Sequence, residues 1–110
     1  MAYASVSDAV IEEASRLFLA LGDQSRLRII RALMKTKIPL SQGALAEATG
    51  ISQANASKHL AILVRAGLAA REPDGSSVYY SPVLPLVEKV CHLVCAHVAE
   101  RVEATYHAIR

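Results

Sequence analysis

A chain of 110 residues, 53% hydrophobic and 20% charged, is long enough for one modest core and too short for two. That balance excludes a disordered chain, and no apolar run reaches the roughly 18 residues that a membrane-spanning helix needs. The net charge of +2 hides an uneven distribution: from Arg26 to Arg71 eight basic residues stand against Glu47 alone, while both flanks are net acidic. A basic middle between acidic ends is what a surface for nucleic acid looks like in sequence.

In chain order, Val10, Ala14, Leu17 and Leu21 fall at helical spacing, with Ile11 and Phe18 widening the stripe. They predict a first helix over about 8–21, capped by Ser7 or Asp8. After Gly22 and Asp23 a second helix is expected from about Gln24 to Met34. Leu27, Ile30 and Leu33 would point inward, and Arg26, Arg28, Arg31 and Lys35 mostly outward. Pro39 closes the connection after it. Ser41 then caps a short helix to about Ala48, Gly50 suits a left-handed residue after it, and Ile51 is a buried turn residue. Ser52 caps a longer helix from about Gln53 to Arg65, ended by Gly67, with Ala56, Leu60, Leu63 and Val64 on its inner face. Helix, glycine, apolar residue, serine, helix is the order of a helix-turn-helix.

Beyond Gly67 the period changes. Segments 68–72 and 77–81 read as short strands, and Pro73-Asp74-Gly75-Ser76 between them is turn chemistry, so a β-hairpin follows the second helix of the pair as a wing. A last helix is expected from about Val83 to His107. It is apolar over more than half its circumference, counting Leu84, Val87, Cys91, Val94, Cys95, Val98 and Val102 on one side and Leu86, Val90 and Leu93 beside them. Such a helix is too apolar for a monomer surface and would pack, with the first helix, against a second copy. The expected fold is therefore mainly α with a small β part: a single winged helix-turn-helix domain over 1–110, with about five helices and a two-stranded wing. The helix-turn-helix would occupy 41–66, the wing 68–81, and the dimerising helices 8–21 and 83–107.

Met1-Ala2-Tyr3-Ala4-Ser5 has neither the basic nor the apolar region of a secretory signal. The two cysteines lie in one helical segment rather than spread as a disulfide framework, so a reducing cytoplasm is the expected compartment.

These residues resemble a known family. Ala46-Glu47-Ala48-Thr49-Gly50-Ile51-Ser52-Gln53, Ser57-Lys58-His59-Leu60-Ala61-Ile62-Leu63, Ala66-Gly67-Leu68 and Val78-Tyr79-Tyr80 resemble the ArsR/SmtB winged-helix repressors. Leu21-Gly22-Asp23, followed by the Arg-rich run to Ile30, is similar to that family's early helix. The likeness covers roughly residues 17–81. It implies a homodimer that binds double-stranded operator DNA as a repressor, often released by a metal or another inducer.

In a helix-turn-helix the first residues of the second helix meet base edges in the major groove. The candidates are Ser52, Gln53, Asn55, Ala56, Ser57, Lys58 and His59. Gln or Asn can pair with adenine, Lys can reach guanine or phosphate, and an alanine methyl can meet thymine. His59 also lies near the inner face, where it would instead be a packed, hydrogen-bonded histidine. Arg65, Arg71 and the wing residues Ser76, Ser77 and Tyr79 complete the set. Members of the resembled family usually carry Arg or Lys after the turn glycine. Serines here would release no counterions, so salt dependence is expected to rest on Lys58, Arg65 and Arg71.

The family's thiolate site has no counterpart, because Ser41 and Gly43 stand where its cysteines would be. Of its interfacial zinc-type site only His97 and Glu100 match, with Leu84 and Leu86 in place of the other pair. Cys91 and Cys95, one turn apart, read either as small core residues or as a thiol sensor for a soft metal, As(III), an oxidant or sulfane sulfur. No cofactor is required. The competing readings are a constitutive repressor without an inducer site and a winged helix that pairs with protein. No nucleophile set, phosphate loop or paired carboxylates suggest an enzyme.

Overall fold

A computed structural model describes residues 2–83 and 85–109. Among them a short 3-10 turn (Tyr3–Ser5) precedes α1 (Asp8–Leu21), α2 (Gln24–Thr36), β1 (Leu40–Ser41), α3 (Gln42–Thr49), α4 (Gln53–Arg65), β2 (Ala69–Asp74), β3 (Ser77–Pro82) and α5 (Leu86–Ala108). Four of the helices begin on a side-chain cap, with Ser7, Asp23, Ser41 and Ser52 accepting the backbone N–H three residues on. Each cap satisfies one of the donors that a helix start leaves unpaired.

The core gathers Ile29, Ile30 and Leu33 from α2, Leu45 from α3, Leu60 and Leu63 from α4, then Leu68, Tyr80 and Val87, all buried. Leu27, expected inward, is exposed in the protomer, and Ile29 takes its place. Position 26 lies on the buried side as well, because 26, 29, 30 and 33 repeat at helical spacing. Arg26 is accordingly half-buried rather than outward.

Gly67, at φ +76°, lets the chain leave α4 in a left-handed turn. The Leu68 N–H reaches back to the Leu63 carbonyl at 2.9 Å, which ends the helix and plants Leu68 in the core. The hairpin that follows turns on only two residues, Gly75 and Ser76, since Asp74 already pairs with Ser77. Gly75 supplies the positive φ, at +62°. The sheet has three strands in the order β1-β3-β2, all antiparallel, with Leu40 opposite Tyr80. The sequence predicts only the hairpin, because a two-residue strand has no periodicity to detect.

Two helices stand apart from this core. Ala20 is the buried residue of α1, and Val10, Ile11, Phe18 and Leu19 are exposed. In α5 Val87 is buried and Cys91 half-buried, but every described residue from His92 onward is exposed, Leu93, Val94, Val98 and Val102 included. The Cα radius of gyration is 16.0 Å, against about 13 Å for a compact domain of this length. The excess is the two projecting apolar helices.

Candidate nucleic-acid interface

α4 sorts its residues by face. Ala56, His59, Leu60 and Leu63 are buried, whereas Gln53, Ala54, Asn55, Ser57, Lys58, Ala61 and Arg65 are exposed. The exposed set carries amides, a hydroxyl and two cations but no acid, and its alanines leave room for close approach. Ser52 fixes the start of the helix by accepting the Asn55 N–H at 3.2 Å. From α3 the Gln42 amide donates to the Gln53 carbonyl at 3.2 Å, bracing the same end across the turn. The sequence reading did not single out Gln42. Its signal was a polar residue directly after the Ser41 cap, at the start of the first helix of the pair.

Two of the candidate contact residues, Ala56 and His59, lie inward, on the inner face where the sequence also allowed them. Ala56 is fully buried. His59 is 8% exposed, and its Nδ1 lies 3.1 Å from Nη1 of Arg26. Both lie off the exposed face of α4. Ser52, Gln53, Asn55, Ser57, Lys58 and Arg65 remain on the surface.

In the wing, Arg71, Ser76 and Ser77 are exposed and Tyr79 is half-buried. Glu72, Asp74, Ser77 and Tyr79 share one sheet face by register, and the Ser81 hydroxyl donates to Glu72 at 3.3 Å. Arg71 lies on the other face, in line with Ala69 and opposite Tyr80. The hairpin tip therefore carries two carboxylates and one guanidinium.

Asp23 does more than punctuate. Its carboxylate accepts the Arg26 N–H at 3.1 Å, and that bond, against some desolvation and helped by the Arg26 charge, holds it below its ordinary 3.8.

Cys91 and Cys95 line a groove of about 500 Å³ between α2 and α5, with Leu27, Ile30, Met34 and His92 alongside and Arg28, Arg31 and Lys35 at its edge. Cys95 is exposed and Cys91 half-buried within one protomer. Burial pushes the Cys91 thiol above its ordinary 9.0, and the neighbouring Cys95 adds to the shift. His97 and Glu100 are exposed on α5, Leu86 is exposed near its start, and Leu84 lies outside the described residues. Among the described residues no three His, Cys, Asp or Glu side chains converge to hold a metal ion within one protomer. No helix among them is long and apolar enough to cross a membrane.

A helix-turn-helix whose second helix presents a polar, partly basic face, followed at once by a β-hairpin, defines a winged helix-turn-helix protein. Comparison with known proteins agrees. A family model described as a helix-turn-helix domain matches residues 21–72. The uncharacterised HTH-type transcriptional regulator YceK of Bacillus subtilis is 40% identical over 67 residues, which span 61% of this chain and 67% of that one. The homodimeric winged helix-turn-helix DNA-binding domain of Mb0332 from Mycobacterium bovis is 29% identical with a TM-score of 0.78, covering 92% of this chain and 94% of that chain. The antimony-specific transcriptional repressor AntR is 25% identical, again at 0.78, over 90% of this chain and 88% of its own. The chain belongs to the ArsR family of winged helix-turn-helix transcriptional regulators, and is a regulator rather than an enzyme.

Proposed function

We propose that this regulator is a homodimeric repressor that reads an inverted-repeat operator in cytoplasmic DNA. The observation that carries the reading is the division of α4 into a buried apolar face and an exposed face of amides, hydroxyl and cations. Gln53 and Asn55 would meet base edges, Ser57 and Lys58 base or phosphate, and Arg65 and Arg71 phosphates. The hydroxyls of Ser52, Ser76, Ser77 and Tyr79 would make uncharged contacts to the backbone. One protomer covers a half-site, so α1 and α5, both projecting and apolar, would join two copies. The homodimeric state of the Mb0332 domain supports this assembly.

The charge layout sets a test. Each cation that neutralises a phosphate contributes about 0.9 to the slope of log K against log salt. Titration of a fluorescent operator duplex across salt concentrations should give Arg71→Ala, Lys58→Ala and Arg65→Ala slopes lower by roughly that amount each. Ser76→Ala should keep the wild-type slope. Unchanged affinity and slope in Arg71→Ala would remove it from the interface.

The groove that holds Cys91 and Cys95 favours a second element of the reading, release by a thiol-reactive or soft inducer. Two sulfurs per chain, four in a dimer, suit As(III) or a soft ion, and the antimony-specific repressor AntR has the same fold. Arsenite should release wild-type protein from operator and leave a Cys91→Ser/Cys95→Ser double variant bound. Identical responses of the two proteins to arsenite, other soft metals and oxidants would remove the thiol-sensing reading.

A further inference from the structure

Asp23, Arg26 and His59 meet behind the DNA-facing surface, where α1, α2 and α4 converge. The Arg26 guanidinium donates from Nε to the Ala20 carbonyl at 2.6 Å and from Nη2 to the Leu19 carbonyl at 3.3 Å, taking up acceptors at the end of α1. Its Nη1 lies 3.1 Å from Nδ1 of His59 on the inner side of α4. A guanidinium only donates and stays charged, so this bond requires the lone pair on Nδ1 and the ring proton on Nε2. Asp23 holds the base of Arg26 by capping α2, and its carboxylate lies 3.9 Å from the same Nδ1. One side chain thus ties the end of α1 to the middle of α4.

We infer that Arg26 and His59 are positioning residues that fix the attitude of α4 relative to α1, and through it the spacing between the two recognition helices of the dimer. The inference rests on the dimeric DNA-binding reading above. The other buried anchors of α4, Ala56, Leu60 and Leu63, are apolar, and apolar packing sets depth better than direction, while the Gln42–Gln53 bond ties the reading end to α3 and not to α1. The Arg26–His59 bond is directional and falls about 9 Å along the helix from Gln53, so it limits the swing of the reading end relative to α1. Because α1 projects from the core toward the second copy, its attitude is set by the dimer. The link therefore sets operator spacing, whereas Gln53 and Asn55 set base identity.

The test uses the full chain and operators recovered by selection from a random duplex pool. Half-sites are held at the selected spacing, or with one base pair inserted or removed, and a duplex with a single half-site serves as control. His59→Asn places an amide oxygen where Nδ1 stands and should keep wild-type discrimination between spacings. His59→Leu fills the pocket without an acceptor, so its discrimination should fall about tenfold while single half-site affinity stays at the wild-type level. Should His59→Leu fail to fold, Arg26→Gln provides the same comparison at a half-buried position. Retained discrimination in the variant lacking the bond, or equal loss on all duplexes, overturns the positioning role. Failure of wild type to bind any duplex overturns the DNA-binding reading itself, and the positioning role with it.

Discussion

At the first turn of α4 the Ser52 hydroxyl has two uses. It accepts the Asn55 N–H, and it stands exposed at the end of the helix that would enter the groove. The two uses separate by substitution. Ser52→Ala loses the cap and should cost about 1 kcal/mol of unfolding free energy in urea. Ser52→Asp keeps a cap of similar quality but sets a carboxylate beside DNA phosphates. It should unfold like wild type yet bind operator more weakly than Ser52→Ala does. Tighter binding by Ser52→Asp than by Ser52→Ala would place this end of α4 away from DNA. Arg26 and His59 show why single residues were harder to read than patterns. Both fall on the buried stripe of their helices, at 26, 29, 30, 33 and at 56, 59, 60, 63, but the charge of Arg26 reads as surface and the spacing leaves His59 open between base contact and packed histidine. His59 is buried and Arg26 half-buried against each other, a pairing across 33 positions that periodicity does not record.

Among elements, the helices with strong punctuation were legible to the residue. Ser52 and Gly67 bracket α4, and the expected Gln53–Arg65 is what forms. α2 runs two residues past its expected end because Pro39 is not what stops it. Lys37 is, at φ +59° in the left-handed region. A side chain there costs roughly 1 kcal/mol, so Lys37→Gly should raise unfolding free energy by about that amount despite glycine's greater chain entropy. A destabilised Lys37→Gly would mean that the lysine side chain makes up for its backbone. α1 and α5 teach the opposite lesson. Their apolar stripes are plain in the sequence, but what those stripes cover is not in one protomer, where Phe18 is 67% exposed and Leu93 69%. The thiols share that ambiguity, because a cysteine on such a stripe is consistent with core, interface or groove.

The whole molecule joins a basic reading head to an apolar frame. A protomer measures 48 × 45 × 23 Å, and two joined through α1 and α5 are large enough to hold their α4 helices one turn of DNA apart, about 34 Å. The acidic flank is part of the same design. Asp8, Glu12 and Glu13 lie on α1, where Arg16 pairs with both glutamates, well away in sequence from the cations of 58–71. A pool of random DNA duplexes, enriched through several rounds on the full chain and then sequenced, tests the central claim most directly. The account predicts an inverted repeat whose half-site centres lie about one helical turn apart, bound by two chains per duplex. Enrichment of a non-repeated site by a single chain, or no enrichment at low salt, would contradict it.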